Sequence, residues 1–497
     1  MAEMDHIFGS LQTGQLVGLF LALTLALGFE FVNGFHDTAN AVATVIYTHS
    51  LPPWVAVIWS GLCNLTGVLY STGAVAFGVI SLLPVELVMN VGSAAGFAMV
   101  FSLLISAIIW NLGTWYLGLP ASSSHTLIGS IMGVGLMNSL MNSGSLAAGI
   151  NWAKAKDVGL SLLVSPLVGF ACTALLFLTL KALVRKPELY AAPDPTKAPP
   201  FWIRGILCLT CTGVSFAHGS NDGQKGMGLL MLILIGIIPG TYALDLSTNA
   251  DSMGKLAVMS QSASAVIRKH PGVTSVEGEA AAKTLSSYLK TGGAFSDEVY
   301  GALAEKNGEI STNVATHQSL TELPESQRSA LRTEIYLVAE TIGKLNKTQK
   351  FSPDEGKPLM EYKTALEKTT KFIPVWVKIA VAFALGLGTM IGWKRIVVTV
   401  GEKIGKSHLT YAQGASAEMV AMIKICRADR DGLPVSTTHV LSSGVAGAMA
   451  ANKSGLQMAT LRNLLLAWVL TLPVCVFLGA MFFAGALLLV TRIFGMH

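Results

Sequence analysis

The segment Gly34-Phe-His-Asp-Thr-Ala-Asn40 has a counterpart in the segment Gly219-Ser-Asn-Asp-Gly-Gln-Lys225. Each begins with glycine and holds an aspartate, and the two aspartates, Asp37 and Asp222, are 185 positions apart. We call these segments the first and second aspartate motifs. Their similarity is the first sign that the chain is built from two related halves.

A second pair of segments supports the same duplication. Residues 120–125 read PASSSH and residues 434–439 read PVSTTH, 314 positions apart; we call them the first tip and the second tip. The two spacings differ by 129 positions, close to the 126 residues of a polar segment at 246–371. That segment is therefore inserted in the second half. Paired repeats are typical of secondary transporters, whose substrate site lies where the repeats meet.

The composition indicates a membrane protein. Among 497 residues, 52% are hydrophobic and only 13% are charged, about half the usual charged fraction. Segment 246–371 holds 15 acidic and 15 basic residues, which leaves 33 charges for the other 371 positions. A chain so depleted of charge cannot present an ordinary aqueous surface. No basic tract interleaved with aromatic residues is present, so nucleic acid is not an expected partner.

Apolar runs long enough to span a bilayer, at roughly 20 residues each, occur at about 16–32, 53–82, 93–118, 158–184, 202–217, 226–244, 373–393 and 461–491. Shorter or more polar runs occur at about 38–47, 124–141, 409–427 and 438–451. The sequence therefore predicts an all-α polytopic membrane protein with about 10–12 membrane segments. We expect them to form two inverted repeats with re-entrant or broken helices, plus a soluble helical insert.

The predicted domain organisation follows from the repeats and the insert. A first membrane repeat is expected at 1–185 and a linker at 186–200. The second repeat begins at 201–245, is interrupted by the polar helical insert at 246–371, and resumes at 372–497.

Basic residues predict the orientation. The connection 181–204 holds five Lys or Arg residues, which favours a cytoplasmic location. If 202–217 and 226–244 cross as a pair, the insert is cytoplasmic too. Four basic residues do not fit this arrangement: Lys394, Arg395, Lys403 and Lys406.

The aspartate motifs hold candidates for cation or proton coupling. Ionisable residues within apolar segments cost about 2.5–3.5 kcal/mol each on insertion scales, which favours a function for them. Aspartate and amide oxygens, completed by carbonyls of a helix break, suit a hard cation, so Asp37 and Asp222 are also candidate metal ligands. The same carboxylates can instead carry protons, or serve only as contacts between helices. The candidates are His36, Asp37, Asn40, Asn221, Asp222 and Lys225. Glu30 is another ionisable residue in an apolar segment, for which a function and a contact between helices are equally favoured.

The tips are candidates for anion binding. In each tip a proline precedes a run of hydroxyl residues, and proline favours the first turn of a helix. Free backbone N–H groups and hydroxyls at a helix N-terminus form a ready anion site. The alternative is a pair of helix caps that only pack well. The candidate phosphate-binding residues are Ser122, Ser123, Ser124, Ser436, Thr437 and Thr438.

These motifs resemble the duplicated signature of the Pit family of inorganic phosphate transporters, G-A-N-D-x-A-N-A with a P-x-S-[ST]-[ST]-H tip in each half. The resemblance covers both membrane halves and leaves out the insert. It is closest to the bacterial low-affinity, proton-coupled members of the inner membrane. It implies phosphate at the tips and cations at the aspartate motifs. It also implies transport of neutral complexes of phosphate with Mg, Ca, Zn, Mn or Co, without a permanently bound cofactor.

Three positions depart from the family signature: His36, Gln224 and Lys225. Two of them replace the Ala-Asn pair of the second motif, and in sodium-coupled relatives that Asn resembles a cation ligand. Our hypothesis is that the ammonium of Lys225 supplants one sodium ion. Proton exchange on Asp37, Asp222 or His36 would then drive uptake.

Several alternatives stay open at this point. They are sodium-coupled phosphate symport, transport of another oxyanion, and a divalent metal permease that uses the histidines at 36, 125, 218 and 439. An enzyme is not expected, because no nucleophile–base pair or nucleotide motif is present. The expected partners are phosphate, arsenate as its analogue, divalent metal ions and membrane lipid. The oligomeric state is open, with a homodimer among the alternatives.

Overall fold

A computed structural model describes residues 13–83, 93–143, 146, 149–194, 197–270, 276, 278–290 and 293–493, except for the side chains at 37–40, 143, 154 and 491–493. Within these ranges the chain forms helices and no strand, which confirms the predicted all-α class. The helices are α1 Thr13–Tyr47, α2 Pro53–Tyr70, α3 Ala74–Ile80, α4 Ala94–Tyr116, α5 Ser123–Ser143, α6 Trp152–Leu183, α7 Phe201–Ile237, α8 Pro239–Tyr242, α9 Ala250–Ile267, α10 Gly278–Leu289, α11 Glu298–Thr316, α12 Glu325–Lys347, α13 Pro353–Thr370, α14 Val375–Gly392, α15 Lys394–Val398, α16 Tyr411–Arg430, α17 Thr437–Ala451 and α18 Met458–Ile493.

Seven of the described helices are long and apolar enough to cross a membrane, namely α1, α2, α4, α6, α7, α14 and α18. The shorter or more polar α5, α16 and α17 pack against them. The longest is α7, whose 37 residues extend roughly 55 Å at 1.5 Å per residue. A hydrocarbon core is about 30 Å thick, so this helix reaches well beyond it.

The course of α7 corrects two expectations. Runs 202–217 and 226–244 do not cross as a pair, because one helix continues from Phe201 to Ile237. The helix break expected at the second aspartate motif is also absent, since residues 219–225 lie inside this helix. Neighbouring helices satisfy the polar side chains there, so the backbone has no need to unwind. The connection before α7 and the insert after it therefore lie at opposite ends of the helix.

Helix packing repeats between the halves with the partners exchanged. Helix α1 of the first half packs against α14 of the second, and α7 of the second half packs against α2 of the first. In the same way α5 packs against α18, and α17 against α6. The two halves are interlocked rather than placed side by side. The inverted relation of the repeats stays a prediction.

The first glycine of each aspartate motif makes this interlocking possible. A β-carbon at Gly34 would overlap the backbone of Leu385 and Thr389 on α14. A β-carbon at Gly219 would overlap the backbone of Asn64 on α2. Small residues allow such close approach of helices within a membrane. The repeated glycine is therefore explained by packing rather than by ligand binding.

The insert is a helical unit with its own core. Helices α9 to α13 bury a hydrophobic cluster that extends from Ala243 to Leu366, separate from the clusters of the membrane helices. It is fastened to the membrane part where Arg328 Nη1 donates to the Gly240 carbonyl at 2.7 Å. The predicted domain boundaries stay predictions.

Basic residues gather at the end of the molecule opposite the insert. Arg204 and Lys394 line one cavity beside Trp393, and Arg395 Nη1 donates to the Tyr116 carbonyl at 2.7 Å. Helix α7 begins at this end, whereas the insert follows its other end. The basic residues after α14 therefore lie at the same end of the molecule as those of the 181–204 connection. The expectation that the insert shares their side of the membrane is wrong, because α7 is continuous.

The positive-inside rule places this basic end in the cytoplasm, so we expect the insert on the outer side. Ser296 in the insert and Ser407 at the basic end are both exposed and suit replacement by cysteine, after the six native cysteines are removed. In bacterial cells with a permeabilised outer membrane, an impermeant maleimide should label Ser296→Cys directly and Ser407→Cys only after lysis. The opposite pattern would reverse the orientation.

Candidate functional site

Each tip begins a helix inside the protein. The Ser122 hydroxyl accepts a hydrogen bond from the His125 N–H at 3.2 Å, and the Ser436 hydroxyl accepts one from the His439 N–H at 3.2 Å. Side-chain caps of this kind satisfy one of the N–H groups that a helix start leaves free. All six candidate hydroxyl residues are buried. The two tips therefore have matching local structure at matched positions of the repeat.

The structure brings the two tips into contact. Ser124 Oγ in the first tip donates to the Val435 carbonyl in the second tip at 2.9 Å. The rings of His125 and His439 lie against each other with centroids 4.6 Å apart. Two helix N-termini thus meet at one place, and the partial positive charges of their N–H groups add there.

Lys225 joins the second aspartate motif to the first tip. Its Nζ lies 2.6 Å from Asp222 Oδ2 and 2.7 Å from Ser124 Oγ. It also lies 3.4 Å from Ser123 Oγ, which itself donates to Asp222 Oδ2 at 3.4 Å. The ammonium and the carboxylate therefore hold a helix of the second half against the tip of the first.

This ion pair is fully buried, since Lys225 and Asp222 both have 0% of their surface exposed. Removing two charges from water costs several kcal/mol per ion, and only a close partner with further hydrogen bonds offsets that cost. His218 Nδ1, one turn earlier on α7, lies 3.8 Å from the same Asp222 oxygen. The carboxylate therefore concentrates polar contacts from both halves.

The other predicted coupling residues have different surroundings. The Asn221 amide donates to the Leu433 carbonyl at 3.2 Å and accepts from the Val435 N–H at 3.4 Å, so it supports the backbone of the second tip. His36 Nε2 lies 2.6 Å from the carbonyl of Asn111 on α4. The side chains of Asp37 and Asn40 lie outside the described residues.

The hydroxyl residues of the second tip are buried as well. Thr437 is buried, and its Oγ1 has no hydrogen-bond partner among the described residues. Thr438 is buried as well. A buried hydroxyl without a partner costs about 1–3 kcal/mol, which favours a ligand that would bond it.

Three buried or half-buried carboxyls lie outside the predicted phosphate and coupling sites, and only Glu30 among them was noted from the sequence. Glu418 on α16 accepts hydrogen bonds from Thr44 and from Thr210, which joins α1, α7 and α16. Asp429 accepts from Ser220 and Gln224 of α7. Glu30 on α1 is fully buried. Their position within apolar or weakly polar runs is a signal in the sequence, but the hydrogen-bond partners of Glu418 and Asp429 are distant along the chain.

A resident metal centre is not evident in the described part of the chain. No group of three or more His, Cys, Asp or Glu side chains there is arranged to hold a metal ion. Asp222, one of the two predicted metal ligands, contacts Lys225, and the side chain of Asp37 is not described. Metal binding at these residues stays a prediction. The predicted metal is a transported ion and not a permanently bound cofactor.

Comparisons with known proteins agree with the motifs. The profile of the Phosphate transporter family matches residues 33–479. The chain is 42% identical to the Low-affinity inorganic phosphate transporter PitA of Escherichia coli (strain K12), over 96% of this chain and 98% of that protein. It is 40% identical to PitB of the same organism, over 93% of this chain and 95% of that protein.

More distant relatives extend the comparison. The chain is 26% identical to the Probable low-affinity inorganic phosphate transporter of Bacillus subtilis (strain 168), over 94% of this chain and 96% of that protein. A solved structure titled "The sodium-dependent phosphate transporter" superposes with a TM-score of 0.52 at 19% identity, covering 94% of this chain and 98% of that one. At that identity the superposition shows a shared fold.

Removing one member of the buried ion pair should destabilise the protein. We expect Lys225→Met to lower the free energy of unfolding by about 3–5 kcal/mol, because Asp222 is left charged and buried. Lys225→Met combined with Asp222→Asn should recover part of that loss. Thermal unfolding in detergent would measure both variants.

The control is Lys255→Met in the insert, whose partner Asp251 lies 2.7 Å away in an exposed pair. Exposed pairs contribute little to stability, because water screens their attraction. Equal losses for Lys225→Met and Lys255→Met would show that the buried pair does not hold the halves together.

Proposed function

This chain belongs to the phosphate transporter family, and we propose that it takes up inorganic phosphate by symport driven by the proton gradient. It is a Pit-type low-affinity phosphate transporter of the bacterial inner membrane, not an enzyme. The observation that carries the proposal is the contact of Lys225 with both Asp222 and the first tip. The proton coupling, the cargo and the residue roles below are proposals.

Phosphate binds between the two tips. A tetrahedral oxyanion needs hydrogen-bond donors on several sides, and two facing helix N-termini supply backbone N–H groups with the favourable end of the helix dipole. The hydroxyls of Ser123 and Thr437 add donors, and the Lys225 ammonium adds a positive charge within reach of Ser124. Hydrogen bonds to a charged group stabilise binding by about 1.5–3 kcal/mol each.

Lys225 favours protons over sodium as the coupling ion. A hard cation beside Asp222 would need the carboxylate oxygen that the Lys225 ammonium contacts at 2.6 Å. Two positive charges 4 Å apart repel by about 4 kcal/mol at an effective dielectric of 20. The lysine is part of the chain and cannot enter and leave as a coupling ion, so the ion gradient must act through a group that gains and loses a proton.

The cargo is a neutral complex of phosphate with a divalent metal. A phosphate dianion in a low-dielectric site requires counter-charge, and Lys225 is already paired with Asp222. A divalent cation that accompanies phosphate supplies the missing charge and leaves with it.

Purified protein in proteoliposomes tests the coupling. We expect an inward proton gradient without sodium to drive accumulation of labelled phosphate, and a sodium gradient without a pH difference to leave uptake at background. A divalent metal should increase uptake, and sulfate should not compete. Accumulation under sodium alone would disprove proton coupling, and metal uptake that needs no phosphate would favour a metal permease.

Removing tip hydroxyls tests the phosphate site. Ser123→Ala and Thr437→Val should each raise the phosphate KM by at least about tenfold, because a hydrogen bond to an anion worth about 1.5–3 kcal/mol is lost. The control is Thr179→Val on α6, whose hydroxyl bonds only the Leu175 carbonyl of its own helix. Unchanged KM values in both tip variants would place phosphate elsewhere.

A further inference from the structure

Glu30 is a fully buried carboxyl on α1 that none of the proposed roles above uses. Its Oε2 accepts a hydrogen bond from Asn33 Nδ2 at 3.3 Å, and its Oε1 lies against the Gly226 backbone without a hydrogen bond of good geometry among the described residues. We propose that Glu30 is the proton-binding site that couples the proton gradient to movement of the phosphate site. This inference rests on the proposed symport.

The carboxyl lies against α7 at the residue that follows Lys225. A β-carbon at Gly226 would stand 2.6 Å from Glu30 Cδ and 2.7 Å from Oε1. Glycine at this position therefore gives the carboxyl room to touch the α7 backbone. The contact places an acid of the first half beside the lysine that joins the second aspartate motif to the first tip.

Few other charges are near Glu30. The charged groups that act on its carboxyl are Lys225 and, more weakly, Asp222, both on α7. Helices α2, α4 and α5 pack against α1 and contain no Asp, Glu, Lys or Arg. Lys394 of α15 and Glu402 lie near Tyr47, at the far end of α1 from Glu30. Lys378 of α14 donates to a backbone carbonyl at the end of α2, Glu418 of α16 is bonded by two threonines, and His439 of α17 lies against His125.

The hydrogen-bond donors around Glu30 and Glu418 differ, and the difference favours Glu30 as the carboxyl that binds the proton. Glu418 accepts hydroxyl donors on both of its oxygens, from Thr44 and Thr210. Glu30 has one side-chain donor, the Asn33 amide, and the nearby ammonium is paired with Asp222. A buried carboxylate without a counter-charge is costly, whereas a protonated carboxyl is tolerated. The arrangement seen here therefore suits Glu30 with a proton bound.

Loss of that proton would change the contacts of Lys225. The step is dissociation of a carboxylic acid to a carboxylate and a proton, which passes to water, and no other bond changes. The new carboxylate competes with Asp222 for the ammonium. Movement of Lys225 toward Glu30 would break its hydrogen bonds to Ser123 and Ser124, so α7 would no longer be held against the first tip. Proton binding on Glu30 would restore these hydrogen bonds.

Two transport assays on Glu30→Gln in proteoliposomes separate a coupling role from a packing role. Glutamine keeps the size of the side chain but cannot release a proton. We expect proton-driven net uptake of labelled phosphate to be lost. Exchange of labelled for unlabelled phosphate, at equal phosphate and equal pH on both sides, should persist, because exchange needs no net proton movement.

Further variants complete the test. Glu30→Asp keeps a titratable group and should regain part of the net uptake. The control is Glu402→Gln at the basic end of the molecule, whose carboxyl accepts from Tyr47, and it should leave both assays unchanged. Net uptake by Glu30→Gln equal to the wild type would overturn the assignment. Loss of net uptake and exchange together in Glu30→Gln would overturn it too, in favour of packing.

The wild-type protein tests the underlying symport separately. If the wild-type protein exchanges phosphate but its net phosphate uptake does not increase under a pH gradient, proton symport itself is wrong, whatever the result for Glu30→Gln. If the wild type responds to the pH gradient and Glu30→Gln responds equally, symport stands and Glu30 is not its proton site.

Discussion

The buried ion pair between Lys225 and Asp222 is the interaction on which the rest of the site depends. Neither side chain reaches solvent, so each charge is stable only while the other, and the polar groups around it, stay in place. Those polar groups include Ser123 and Ser124 of the other half. A helix of one half and a helix tip of the other are therefore held together by charge at the point where phosphate is proposed to bind.

The interlocked packing explains how so polar a site persists among apolar helices. Helices exchange partners between the halves, and the motif glycines Gly34 and Gly219 bring helix backbones into contact. Close backbone contact leaves little space for lipid or water and fixes the depth of each tip. Capping by Ser122 and Ser436 then starts two helices inside the protein without leaving all of their first N–H groups unbonded.

Carboxyls in this protein fall into two kinds of environment. Glu418 and Asp429 receive hydroxyl or amide donors on both oxygens, which suits a lasting structural role in joining helices. Glu30 receives one side-chain donor, from Asn33, and lies beside a lysine that is paired with another acid. Differences in the number of donors, rather than burial alone, separate acids that hold the fold from an acid poised to exchange a proton.

The sequence alone determined the class of fold, the helical insert, the duplication and the position of both tips, because hydropathy, charge density and motif spacing are local properties of the chain. It did not predict that α7 passes unbroken through its aspartate motif, since the groups that satisfy Ser220, Asn221 and Gln224 come from distant segments. Nor did it predict that the 181–204 connection and the insert lie at opposite ends of α7, which follows from that continuous helix. Tertiary structure alone decided that Lys225 contacts Ser124 and that Glu30 faces Gly226. The physical reason is that such contacts depend on how helices far apart in sequence pack together, which no local pattern records.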